Sequence, residues 1–62
     1  MFVVKSIETY RFKIEVLQNT AGAFVVQYED FGDESKYSSR DIWDYNQASY
    51  EFDQARLKLE GN

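Results

Sequence analysis

Hydrophobic and polar residues alternate in two runs in the first half of the chain. In residues 10–16 every second position is aromatic or β-branched and the positions between are charged, and residues 23–31 keep the same period of two. A period of two with the apolar residues on one side predicts a strand with one buried face. Residues 18–22 separate the runs, and Asn19 and Gly22 there tolerate the positive φ of a turn. The two runs together predict a β-hairpin over residues 10–31.

The register of this hairpin follows from matching the apolar sides of its two strands. Val16 opposite Phe24 brings apolar residues together on the core side and polar residues together on the other. A slip of one residue would turn the apolar side chains to water, which favours this register. The remaining predicted pairs are Ile14 with Val26, Phe12 with Tyr28, Arg11 with Glu29 and Lys13 with Gln27.

The segments on either side of the hairpin predict one or two further strands. Residues 2–4 are apolar and form either a short edge strand or a segment that covers the sheet. Neither glycine nor proline separates Ile7 from the hairpin, so the first hairpin strand can begin as early as that residue. Residues 32–34 predict a turn at Gly32, and a short strand around Tyr37 would follow it. The expected sheet is an antiparallel meander of three or four strands.

From Arg40 onward the hydrophobic period changes to that of a helix. Apolar residues recur at spacings of 3, 4, 3 and 4, at Tyr45, Ala48, Phe52, Ala55 and Leu59. These positions share one helical face, Lys58 suits the last turn, and Gly61 stands where a helix commonly ends. The start is open between Ser39 and Ser49, because Ser38 with Asp41, Asp44 with Gln47, Asn46 or Ser49 could each cap it. In the shorter alternatives, residues 41–45 belong to a strand or loop.

These elements predict an α+β fold for residues 1–62 as a single domain. One C-terminal helix packs across one face of the antiparallel meander. The predicted core consists of the inward residues of the hairpin and of the helix, namely Tyr10, Phe12, Ile14, Val16, Phe24, Val26, Tyr28, Ala48, Phe52, Ala55 and Leu59.

A second apolar set lies in the helical region. Trp43, Tyr50 and Leu57 recur every seven residues, on the side opposite the first stripe. One helix on one sheet cannot bury both sides. Either another molecule covers the second set, or the helix begins after Trp43 and the set is reduced to Tyr50 and Leu57. A third alternative wraps Trp43 over a sheet edge into the core.

Composition excludes several classes of chemistry. The chain has no cysteine and no histidine, which removes disulfides, zinc sites of the Cys and His type, and nucleophilic dyads that use either residue. No apolar run approaches the roughly 20 residues of a membrane helix, and residues 1–5 are too short for a signal peptide. We therefore expect a soluble, cytoplasmic protein without a membrane partner.

The net charge of −4 is unevenly distributed, because residues 29–53 alone carry −6. Such a field repels nucleic-acid phosphates and favours basic partners. Asp30, Asp33 and Glu34 cluster at a turn, but they lack the spacing of a calcium loop. Glu29 with Asp44 could form a carboxylate pair, yet a two-layer domain of this length leaves no room for a catalytic pocket. We expect neither an enzyme nor a metal or other cofactor, and no direct nucleic-acid binding.

The function that these patterns favour is a small, non-enzymatic protein-interaction module. Exposed aromatic residues contribute strongly to protein interfaces, and acidic residues steer encounters with a basic or mixed protein surface. The alternatives are a structural homodimer that closes the helix stripe or a sheet edge, and an inhibitor that imitates nucleic-acid charge. The candidate partner-binding residues are Trp43, Tyr50, Leu57, Glu29, Asp30, Asp33, Glu34 and Asp44.

Overall fold

The structure is a computed structural model that describes residues 1–61. Its strands are β1 (Phe2–Glu8), β2 (Phe12–Gln18), β3 (Phe24–Asp30) and β4 (Ser35–Ser38), and its helix is α1 (Tyr45–Glu60). The four strands form one antiparallel sheet in the order β1-β2-β3-β4, and α1 packs against β2 and β3. The predicted α+β meander with a C-terminal helix is therefore confirmed, with four strands rather than three.

The core lies between the inner face of the sheet and one side of α1. Ile14, Val16 and Val26 are fully buried at its centre, and Phe52 covers them from the helix. Burying each such side chain stabilises the fold by about 1.5 to 3 kcal/mol. The predicted core residues that are buried are Phe12, Ile14, Val16, Val26, Ala48, Phe52, Ala55 and Leu59, and Phe24 and Tyr28 are partly buried against them.

The turn between β1 and β2 contradicts part of the prediction. The backbone N–H of Thr9 donates to the Phe12 carbonyl at 2.8 Å, and its Oγ1 accepts from the N–H groups of Arg11 and Phe12. This side-chain turn reverses the chain without glycine or proline. The hairpin strand consequently begins at Phe12, Ile7 belongs to β1, and Tyr10 lies at the tip of the turn. Its assignment to the core was wrong, because it is 91% exposed.

The register of the β2–β3 hairpin differs from the prediction by two residues. Val16 lies opposite Val26, and Gln18 opposite Phe24 closes a five-residue loop. The Asn19 side chain holds that loop, because its Oδ1 accepts from the N–H groups of Ala21 and Ala23. The predicted pairs Val16 with Phe24, Ile14 with Val26, Phe12 with Tyr28, Arg11 with Glu29 and Lys13 with Gln27 were wrong. A shift of two preserves which side chains face the core, so the assignment of faces still holds.

Helix α1 begins at Tyr45, within the predicted range from Ser39 to Ser49 but later than its earliest possible start. Asp44 is its N-cap, and the carboxylate accepts from the backbone N–H of Asn46 at 3.2 Å. Just before it, Ile42 exchanges two backbone hydrogen bonds with Phe24, each 2.7 Å long. The start of the helix after Trp43 was one of the predicted alternatives. At the other end, the N–H of Gly61 donates to the Leu57 carbonyl at 3.0 Å.

Edge strand β1 carries an irregularity and an inward-facing charge. A bulge interrupts its pairing with β2 between Val3 and Lys5. Beyond the bulge, Lys5 lies opposite the buried Val16 and therefore faces α1. A bulge and an inward charge are two devices by which natural sheets disfavour pairing at an exposed edge. This disfavours the alternative in which two copies pair through the β1 edge.

Candidate interaction surfaces

The outward side of α1 carries exposed apolar side chains. Tyr50 is 58% exposed and Leu57 is 59% exposed, whereas Phe52 on the opposite side is 3% exposed. Tyr50 and Leu57 are seven residues apart, about two turns, so they lie nearly in line. Asp53 is their exposed neighbour on the helix, three residues from the one and four from the other.

Trp43 is exposed but is not part of the helix. Its side chain is 68% exposed, which contradicts the alternative that places it in the core. It lies between Ile42, which pairs with β3, and Asp44, whose backbone is extended at φ −121° and ψ 121°. Helical spacing therefore does not apply to Trp43. We define the helix surface as Trp43, Asp44, Tyr50, Asp53 and Leu57.

Three predicted acidic residues lie at the turn between β3 and β4. Asp30 ends β3, and its Oδ1 accepts from the N–H groups of Gly32 at 3.0 Å and Asp33 at 3.3 Å. Glu34 has a φ of 56°, in the left-handed region. Asp30 therefore shapes the turn, whereas Asp33 and Glu34 are exposed.

The same end of the molecule contains two aromatic residues outside the predicted site. Tyr10 and Phe31 line an open depression of about 540 Å³ together with Asp30 and Asp33. The pairing of β2 with β3 continues to this end, because the N–H of Phe31 donates to the Arg11 carbonyl at 2.9 Å. Tyr10 lies at this surface because the chain turns at Thr9. The composition of residues 9–12 does not reveal that turn, so no pattern in the sequence indicated this position for Tyr10. We define the turn surface as Tyr10, Asp30, Phe31, Asp33 and Glu34.

The start of the helix surface and the turn surface lie toward opposite ends of the molecule. At the start of α1, the rings of Tyr45 and Phe24 are 5.4 Å apart between centroids. Near its end, Lys58 Nζ lies 3.5 Å from the Tyr28 hydroxyl. A helix of 16 residues is about 24 Å long, and the longest dimension of the structure is 33 Å. Trp43 and Asp44 therefore lie toward the opposite end from the turn surface, and the structure does not bring all the predicted site residues together.

The outer face of the sheet, which α1 does not cover, consists of three rows across the strands. The first row alternates in charge and contains Glu8, Lys13, Glu29 and Lys36, each opposite the next in the strand registers. The second row is polar and contains Ser6, Glu15, Gln27 and Ser38. The third row is apolar and contains Val3, Leu17 and Val25.

Glu29, a predicted site residue, belongs to this outer sheet face. It lies between two lysines, Lys13 and Lys36, and is half-buried. Lys13 also lies 3.9 Å from the Glu15 carboxylate in its own strand. Both lysines and both glutamates line an open depression of about 450 Å³ over β2, β3 and β4. Glu29 is thus part of a charge-balanced row rather than of an acidic cluster.

Within residues 1–61, no group of three His, Cys, Asp or Glu side chains is placed to hold a metal ion. None of the helical segments in that range has the length and apolar character that crossing a membrane requires.

The geometry defines a small α+β domain with an exposed aromatic and acidic helix surface, a separate turn surface and a patterned outer sheet face. Comparison of the chain with protein-family models, with curated proteins and with solved structures found no match in any of the three.

Proposed function

We propose that this chain is a small, cytoplasmic, non-enzymatic protein-interaction module that binds a basic or mixed protein surface through its helix surface. The observation that carries the proposal is the exposure of Tyr50 and Leu57 on a helix whose other side fills the core. Tyrosine and tryptophan supply large contact areas at protein interfaces and often contribute most of the affinity. Trp43 adds a third large exposed side chain just before the start of the helix.

The charge around these side chains supports a basic partner. Between Arg40 and Arg56 the chain contains four acidic residues and no basic one, although Lys5 of β1 lies 3.9 Å from the Asp53 carboxylate. Asp53 lies between Tyr50 and Leu57 on the helix, and Asp44 caps its start. Acidic groups next to aromatic anchors would accelerate association with a positively charged surface, and the aromatic contacts would slow dissociation.

Affinity capture with matched variants tests the proposal. The site variant is Tyr50→Ala with Leu57→Ala, and the control is Gln47→Ala with Gln54→Ala, which changes two other exposed residues of α1. We expect wild type and control to recover the same specific protein, and the site variant to lose it while it melts at nearly the same temperature. Equal recovery by the site variant would show that the helix surface is not the binding site.

A salt series on the recovered partner tests the role of charge. Association steered by charge slows as ionic strength rises, because salt screens interactions beyond about 10 Å at 0.1 M. We expect the association rate to fall with salt and Asp53→Asn to reduce that dependence. An association rate that is indifferent to salt contradicts a basic partner surface.

The alternative of a nucleic-acid mimic receives less support. Its acidic residues would need to imitate a continuous array of phosphates. Asp44 instead lies toward the opposite end of the molecule from the acidic residues of the turn surface, and Glu29 lies between two lysines.

A further inference from the structure

We propose that two copies of this chain associate through the outer faces of their sheets, related by a twofold axis that runs parallel to the strands and between β2 and β3. The inference goes beyond the proposed function, because it assigns a partner, a second copy of the chain, to the outer sheet face, which α1 does not cover. It rests on the pattern of the three rows across that face.

The charged row is complementary to its own reverse. From β1 to β4 it contains Glu8, Lys13, Glu29 and Lys36, so its charges alternate. A twofold axis along the strands reverses the strand order in the second copy and leaves each row at the same height. Lys13 then faces Glu29 of the second copy, and Glu8 faces Lys36. Every charge in the row then meets an opposite charge of the second copy. The fold of a single copy does not by itself require a row with this symmetry.

The same operation places apolar residues on apolar residues. Leu17 and Val25 are adjacent on either side of the axis, so each faces the other in the second copy. Leu17 is only 8% exposed within one copy, so the half-buried Val25 supplies most of the apolar surface near the axis. Val3 extends the apolar row to β1 and is 49% exposed. Two sheets packed face to face lie about 10 Å apart with their strands within about 30° of each other, which keeps the central contacts aligned.

The small size of the face indicates a weak association. Three strands of seven residues and one of four, about 4.8 Å apart, give a footprint of roughly 400 Å² on each copy. This is about half the area that each partner contributes to a standard specific interface. We therefore expect a weak dimer with a dissociation constant of roughly 100 µM, in which both helices face outward and remain available to other partners.

Sedimentation of the full chain tests for the dimer. Between about 10 µM and 1 mM, wild type should shift from monomer to dimer, as expected for a dissociation constant inside that range. A chain that stays monomeric at the highest concentration overturns the proposal. A monomeric result would not contradict the proposed binding through the helix surface, because the capture experiment changes different residues.

Two charge-reversal variants test the interface. Lys13→Glu with Lys36→Glu makes the charged row entirely acidic, and Glu8→Lys with Glu29→Lys makes it entirely basic. Each variant alone places like charges opposite each other and should raise the dissociation constant at least about tenfold. An equimolar mixture restores opposite charges in every contact of the row and should recover association as a heterodimer. Loss of association that mixing does not restore would overturn the proposed pairing.

Overall charge does not explain the expected recovery, because the acidic variant is more negative than wild type and the basic variant has no net charge. The matched control is Arg40→Glu with Arg56→Glu, which changes the net charge as the acidic variant does but at exposed residues outside the row. The dissociation constant of the control dimer should lie within about twofold of the wild-type value. If it loses association as completely as the acidic variant, net charge rather than the row controls the dimer.

Discussion

Lys5 lies over the ring of Phe52, with its Nζ 4.6 Å from the ring centroid. The same ammonium group donates to the Ser49 hydroxyl at 3.3 Å and lies 3.9 Å from the Asp53 carboxylate. Through these contacts, edge strand β1 is joined to α1, although the helix packs mainly on β2 and β3. The position also gives β1 the inward charge that disfavours pairing at its edge.

Replacing Lys5 by methionine should therefore lower the free energy of unfolding. Methionine keeps an apolar stem over Phe52 but removes the charge, and a cation–π contact at a partly exposed site contributes about 0.5 to 1 kcal/mol. Asp53→Asn should cost less, because that ion pair is solvent-exposed and such pairs contribute little. Urea denaturation of both variants measures the difference. A larger loss in Asp53→Asn would assign the contribution to the ion pair instead.

Phe52 and Leu57 should respond very differently to truncation, although both are large apolar residues of α1. Phe52→Ala removes a side chain that is 3% exposed, and such core losses cost about 3 to 5 kcal/mol. Leu57→Ala removes one that is 59% exposed and should change stability by less than about 0.5 kcal/mol. Thermal melts of the two variants under one condition check this. Similar melting temperatures for Phe52→Ala and wild type would contradict the assigned core.

Periodicity predicted which side chains of β2, β3 and α1 face the core, but it also assigned to the core Tyr10, which is exposed in a turn. It depends on spacing alone, and the stripe from Ala48 to Leu59 and the alternation around Ile14 were both long enough to be unambiguous. The turns after β2 and β3 were predicted close to their observed positions, from Asn19 with Gly22 and from Gly32. The turn between β1 and β2 was not predictable in the same way, because Thr9 reverses the chain through its side chain and carries no distinctive dipeptide.

The error in register hid the pattern on the outer sheet face. With Lys13 placed opposite Gln27, the charges showed no order across the strands. The observed pair of Lys13 with Glu29 aligns four charges in one row. Similarly, the acidic residues looked like one site because they are close in sequence, whereas the length of α1 separates Trp43 from the turn surface. Closeness in sequence therefore did not predict closeness in space.

Asp44 should stabilise α1 as its N-cap. The carboxylate accepts from the N–H of Asn46, and replacing such a cap by alanine costs about 1 kcal/mol. Asp44→Asn should retain most of the stability, because asparagine caps about as well as aspartate. Chemical denaturation of the two variants separates capping from charge. If Asp44→Asn lost as much stability as Asp44→Ala, the charge rather than the hydrogen bond would be responsible.

Gly22 should be the glycine whose replacement is most costly to the hairpin. Its φ of 94° lies in a region that L-residues adopt only with strain, while a Cβ there would meet nothing within 4 Å. The expected loss of about 1 kcal/mol or more in Gly22→Ala is therefore a backbone effect. Gly32→Ala is the matched control, because its Cβ would make only an ordinary contact with the Asp30 carboxylate, at 3.4 Å. Hydrogen exchange in β2 and β3 should accelerate in Gly22→Ala and not in Gly32→Ala. Equal protection in both variants would mean that the loop between these strands accommodates a side chain without strain.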